Sequence, residues 1–221
     1  MPQPLPKEIA TDPHVQVYMV GGMAERPALA VAFAEAMQAC AVLESAVGLL
    51  HLALNEHRPQ AAHKQLQKVS GYRDRAKMVR KEAKQQEDPI DRALALAATD
   101  AGMRAEKKRK QLSHGLWGYT EALPESVLFR SAEQDLLALT QQLTKRLGKP
   151  GPDAPATADL LVYGTDDFDA VETAAATAAE TLEMASSYLI IDDPEEKNTL
   201  LSQMLSKPTT VADFAERIRR S

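Results

Sequence analysis

Phe33-Ala34-Glu35-Ala36-Met37-Gln38-Ala39-Cys40-Ala41-Val42-Leu43-Glu44-Ser45-Ala46-Val47-Gly48-Leu49-Leu50 decides the fold class. Apolar residues recur at Phe33, Ala36, Cys40, Leu43, Val47, Leu50 and Leu54, in steps of three and four. That spacing lines one side of a helix and is the seam of a packed bundle. The first long helix is therefore predicted from Pro27 to about Glu56. A second, from Pro59 to about Gln86, repeats the pattern more weakly through Leu66, Val69, Tyr72, Ala76, Val79 and Ala83. Asp88-Pro89-Ile90-Asp91 opens a third: Asp88 can cap, Pro89 suits the first helical position, and the acids favour the positive end of the helix dipole. This helix runs to about Ser113, where Gly115 is expected to supply the stop.

Beyond it, Val127-Leu128-Phe129 is strand-prone, and Ser131 opens a helix with Leu136, Leu139, Leu143 and Leu147 on one face. Lys149 to Pro155 reads as a linker, and Leu160 to Tyr163 as a short strand. A long helix then carries the stripe Phe168, Val171, Ala175, Ala178, Leu182, Ala185 and Leu189. Short helices from Asp193-Pro194 and near Val211 finish the chain. Towards the N-terminus, the alternation Val15, Val17, Met19 suggests an edge strand. The expected fold is all-α: an up-and-down four-helix bundle with short accessory helices and room for a two- or three-stranded sheet. Residues 1–27 form an irregular segment, 28–190 the bundle interrupted near 149–155, and 191–221 the terminal helices.

Composition narrows function mainly by exclusion. Hydrophobic content of 44% and charged content of 26% are those of a globular domain, and no run approaches the roughly 18 apolar residues of a membrane span. With no apolar signal core either, a cytoplasmic protein that avoids membranes is expected. The single Cys40 excludes an internal disulfide and a thiolate zinc site, and reads as a small core residue rather than a nucleophile. Neither Glu-x-x-His nor His-x-x-x-His occurs around any of the five histidines, so no metal site is expected. Gly-rich phosphate loops and a Gly-x-Ser-x-Gly elbow are absent from the sequence, and no cofactor is implied.

Charge is unevenly spread. Lys64 to Lys110 holds 14 Lys and Arg against 7 Asp and Glu; Gly151 to Leu200 holds 12 Asp and Glu against Lys197. Either two solvated faces of opposite sign share one fold, or the basic third meets a polyanion while the acidic segment faces away.

The basic segment ends in Arg109-Lys110-Gln111-Leu112-Ser113-His114-Gly115-Leu116-Trp117-Gly118. Arginine grips phosphate in a bidentate fork, and histidine can transfer a proton near neutral pH. Five residues of helix separate the two by about 140° and 7–8 Å of rise, so both reach one phosphate only if the helix turns near Ser113. The same spacing recurs at Arg58 and His63, but there it straddles Pro59 at the start of a helix. Read alone, His114 could equally bond the final helix carbonyls and Arg109 be one more solvated charge.

A helix end, a small residue, His-Gly, an apolar residue and then Trp117 resemble the HEPN superfamily. Its members carry Arg, four to six residues and His at the end of the third helix, often with Ala-His-Gly-x-Trp around the histidine. The likeness covers this motif and the order of four long helices, about residues 28–190. Lys110 stands where the family commonly has a small polar residue. The resemblance implies a metal-independent endoribonuclease, commonly a toxin or phage-defence component, in which two protomers pair their motifs in one cleft. It makes Arg109 and His114 the catalytic pair, with Ser113 and Lys110 beside them, and spares DNA because the ribose 2′-hydroxyl is the nucleophile.

Glu44, inside the apolar stretch with His51 and Asn55 along the same side, is a candidate to orient Arg109; alternatively it faces water or an internal hydrogen bond. Lys107, Lys108, Trp117, Tyr119 and Tyr72 are candidate RNA contacts, although Trp117 also reads as a packing anchor. The partners implied are RNA, a second copy of the chain and an antitoxin or other protein. Two rivals remain: a non-catalytic helical module binding a nucleotide or a protein, and a structural dimer held by its long heptads.

Overall fold

The computed structural model describes residues 2–131, 136, 160–206, 214 and 218. The chain is predominantly helical, with eight helices and a four-stranded antiparallel sheet among the described residues. In order these are β1 (Gln3–Pro4), α1 (Lys7–Thr11), α2 (Gly22–Glu25), α3 (Pro27–Ala53), α4 (Pro59–Leu66), α5 (Tyr72–Ala83), α6 (Pro89–Ser113), β2 (Gly115–Gly118), β3 (Val127–Ser131), β4 (Leu161–Tyr163), α7 (Thr165–Ile190) and α8 (Pro194–Leu205). Ser131, expected to open a helix, instead ends β3; most of that helix, the linker at 149–155 and most of the helix near Val211 lie outside the described residues.

The seam read from α3 is the buried one, since Ala36, Cys40, Leu43, Val47 and Leu50 are all enclosed. The expectation that no run is long enough for a membrane span does not hold for this helix. α3 is long and apolar enough to span a bilayer by length and composition, with a mean hydropathy of 1.4 over its most apolar window. Alanines and small polar residues hide this from a search for uninterrupted apolar runs. Its inner face is nonetheless packed against protein.

The expected second helix is two. Gly71 sits at φ +80°, ψ 151°, backbone that only glycine adopts without strain, and this breaks the run between α4 and α5. α5 keeps the predicted stripe, burying Tyr72, Ala76, Val79 and Ala83. Asp88 caps α6 as its sequence implies: Oδ1 accepts from the backbone N–H of Ile90 at 2.6 Å and of Asp91 at 3.2 Å. Asp193 does the same for α8, accepting from Glu195 and Glu196.

Gly115 does not stop α6 by turning left-handed; among the described residues only Gly21 and Gly71 have positive φ. It begins β2, which pairs with β3 so that Trp117 faces Phe129. A side chain at Gly115 would lie 2.4 Å from the Arg130 carbonyl oxygen, so this glycine serves close strand approach. The sheet order is β1-β4-β3-β2. Val15 to Met19 forms no strand, only a bridge in which Tyr18 and Tyr119 exchange backbone hydrogen bonds at 2.9 and 2.8 Å. The edge strand is instead β1, whose Pro4 is tolerated because an edge leaves one side without ladder bonds.

Contacts divide the chain into two compact units. The first comprises Met1–Ala36 and Arg109–Val171. Its core is a ring cluster in which Trp117 touches Phe33, Phe129, Tyr163 and Phe168 with centroids 4.8–5.6 Å apart. Burial pushes the Tyr163 hydroxyl up to about 12, with Asp167 adding to the shift. The second unit comprises Met37–Lys108 and Glu172–Ser221. Tyr72, Leu43, Leu50, Leu94, Leu182 and Met204 are among its largest enclosed apolar groups. Tyr72 fits because residue 102 is glycine, where a Cβ would meet the Tyr72 hydroxyl. That hydroxyl has no hydrogen-bond partner among the described residues, and burial raises it well above the usual phenol range.

Candidate functional site

α6 remains helical through Ser113, anchored in its last turn by the enclosed Leu112. His114 follows directly at a bend, exposed, before β2 begins. Arg109 is half-buried one turn earlier, while Lys107, Lys108 and Lys110 are exposed. No fraying brings Arg109 and His114 together along the helix; any convergence depends on the change of direction at His114. The Ser113 hydroxyl is shielded from solvent and has no partner among the described residues.

The other sequence candidates fall elsewhere. Glu44 is paired with Arg75: the guanidinium Nη1 lies 3.6 Å from Oε1 and donates to the Glu44 backbone carbonyl at 3.3 Å. Glu44 thereby links α3 to α5. Trp117 is committed to the ring cluster. Tyr119 stacks on Tyr18 at 4.9 Å, with the Arg26 guanidinium 5.4 Å from its ring. Tyr72, at 1% exposure, is closed to any RNA.

A second constellation lies in the second unit, around His51 and Asn55, with Glu82 as a partner the sequence does not indicate. His51 is wholly buried in α3. Its Nδ1 lies 2.5 Å from Oε2 of Glu82, and its Nε2 3.1 Å from the Ala62 carbonyl oxygen. A carbonyl only accepts, so Nε2 must carry the hydrogen and the tautomer is assigned by that accounting. Nδ1 then either donates to a carboxylate or accepts from a carboxylic acid. In both states the pair shares one proton and is neutral overall, which lets it persist in a low-dielectric interior.

The network continues outward. Asn55 Nδ2 donates to the His51 carbonyl oxygen at 2.9 Å, and Asn55 Oδ1 accepts from Arg58 Nε at 3.1 Å. Arg58 and Glu82 face a polar cavity of about 540 Å³ between the α3–α4 and α5–α6 connections. Asp91 forms part of its wall; burial raises its carboxyl above the usual range, opposed by Lys197 at 3.9 Å. The available signal was His51 amid an apolar helix, together with Glu82 flanking Val79 and Ala83. Periodicity marks each residue without pairing them.

Among the described residues, no three His, Cys, Asp or Glu side chains are grouped to hold a metal ion. Comparison with models of known protein families, with curated proteins and with solved structures finds no significant match.

Proposed function

We propose that this chain is a HEPN-like protein acting on RNA, a metal-independent endoribonuclease of the toxin or phage-defence type. Its core would be that family's up-and-down four-helix arrangement, with α4 and α5 together taking the place of the second helix. The observation that carries the reading is an exposed imidazole directly beyond the last turn of a basic helix. Lys107, Lys108 and Lys110 on that final stretch are open to phosphates, and Arg109 lies among them.

In the proposed reaction His114 takes the proton from a ribose 2′-hydroxyl. The oxygen attacks the adjacent phosphorus, the bond to the 5′-oxygen breaks, and that oxygen takes up the proton that the imidazole had removed. The products are a 2′,3′-cyclic phosphate and a 5′-hydroxyl. Arg109 stabilises the charge growing on phosphorus. Because the two groups are offset around α6, the reading includes a second copy whose motif completes the cleft.

Replacing His114 with alanine is expected to lower cleavage of a single-stranded RNA by about 10²–10⁴-fold, the usual contribution of a positioned acid–base group. Fold and mass should be unchanged, EDTA should not inhibit, and 2′-deoxyribose at the scissile position should abolish cutting. Wild-type protein that binds RNA without cutting it would leave the non-catalytic module; cutting retained by the alanine variant would remove His114 from the chemistry.

The second copy is supported by the outer face of α3. Val42 and Leu49, one heptad apart, are 45% and 48% exposed, beside Ile190 of α7 at 54%. Leu49 and Ile190 line an apolar groove of about 490 Å³ together with Leu52 and Ala53, and Val42 lies two turns before Leu49 on α3. A patch of this kind can close on itself across a two-fold axis. Val42→Glu with Leu49→Glu should convert a dimer to a monomer by light scattering, and a wild-type monomer at cellular concentrations would count against the shared cleft.

A further inference from the structure

We infer that the cavity beside His51 and Glu82 binds a small zwitterion, one molecule carrying both an ammonium and an oxyanion. This site is separate from the residues of the proposed ribonuclease. Its first element is Arg58. Asn55 Oδ1 holds the guanidinium by Nε, and Asn55 is itself fixed to the His51 carbonyl. The terminal Nη donors of Arg58 have no partner among the described residues. A guanidinium held at one nitrogen with its fork open is pre-organised for a carboxylate or phosphate.

The second element is Glu82. Its Oε2 is occupied by His51, while Oε1 has no partner among the described residues. Its side chain is 13% exposed and lines the cavity. With Nε2 of His51 locked by Ala62, the carboxylate cannot swing away without stranding a buried imidazole. It is a fixed acceptor, suited to a donor of positive charge.

The remaining walls discriminate. Asp88 Oδ1 is committed to capping α6, and Asp91 lies near Lys197. Glu87 adds negative charge, with His57 and Gln86 as further polar lining. A simple anion at Arg58 would meet the charges of Glu87 and Asp88; a simple cation at Glu82 would leave the Arg58 fork empty. A ligand with both charges satisfies both, and the volume is in the range of small-molecule sites, about 300–1,000 Å³. The oxyanion is a carboxylate, as in an amino acid, or a phosphate, as in a phosphorylated amino alcohol.

The full-length chain can be titrated calorimetrically with glycine and O-phosphoethanolamine, and with ethanolamine, acetate and inorganic phosphate as single-charge controls. At least one zwitterion should bind at least about tenfold more tightly than the controls, which corresponds to one good charge-assisted contact. The zwitterion that binds identifies the oxyanion. Arg58→Ala should bring it to the level of ethanolamine, and Glu82→Gln to that of the matching anion. Gln can still hydrogen-bond Nδ1 of a neutral His51, so the fold is kept, and thermal unfolding of each variant checks this. The His51 ring resonances should move with the zwitterion in the wild type and not in Arg58→Ala. Zwitterions that bind no better than ethanolamine, or binding that survives both substitutions, would overturn the assignment. RNA cleavage is unaffected by either result, so this site and the ribonuclease reading fail independently.

Discussion

Alanine at Gly118 is expected to destabilise the first unit by about 3 kcal/mol or more, at the upper end of overpacking costs. The new Cβ would lie 2.2 Å from the Tyr18 carbonyl oxygen and 2.9 Å from Met19 Cα. On the other side, Gly22 already approaches so closely that its own Cβ would sit 2.3 Å from the Gly118 oxygen. The clashing atoms are largely backbone, so no rotamer change relieves them. Separating the segments would also break the two hydrogen bonds between Tyr18 and Tyr119, each contributing about 1 kcal/mol. Urea unfolding followed by Trp117 fluorescence measures this, because the chain's one tryptophan lies in the same strand. Gly164→Ala is the control, since its Cβ would meet nothing within 4 Å. A Gly118→Ala midpoint equal to that of Gly164→Ala would show that the close approach is not as drawn.

His51→Ala is expected to cost about 3–5 kcal/mol, the scale for removing one partner of a buried ionic pair. Three losses combine: a cavity in α3, an unpaired Ala62 carbonyl, and a Glu82 carboxylate stranded at 13% side-chain exposure. Glu82→Gln should cost about 1 kcal/mol or less, because a hydrogen bond to Nδ1 survives. Replacing both partners by leucine should recover most of the loss, as apolar substitution of a whole buried pair often does. The measurement is a denaturation series of the three variants. Equal losses for His51→Ala and the double variant would mean that the unpaired Ala62 carbonyl, and not the stranded carboxylate, carries the cost.

Elements whose identity rests on local chemistry were legible in the sequence. The stripe of α3, the Asp88 cap of α6, the Asp193 cap of α8 and the β-branched and aromatic run of β3 each contain their own signal. Errors arose where one residue's backbone or a distant neighbour decides. Gly71 splits the second helix through its own φ, inside a pattern that otherwise continues. Gly115 reads as a helix stop until Arg130 and Phe129 are placed against it, and a two-residue strand such as β1 is too short to show any period. At the candidate sites, the placing of His114 at the end of α6 followed from the helix boundary, and its exposure did not. The pairing of Glu44 with Arg75, and of His51 with Glu82, joins residues 31 positions apart. Nothing in either stretch names its partner.

The pairing of Gln3 with Val162 sets a timetable for the nascent polypeptide. At about 5–20 residues per second on the ribosome, roughly ten to thirty seconds separate synthesis of β1 from synthesis of the β4 edge it joins. The ring cluster waits for Phe168 in the same way, so β1 and Phe33 find their places only after the residues near 160–170 are made. During that interval Phe33 of α3 lacks the Phe168 ring it packs against.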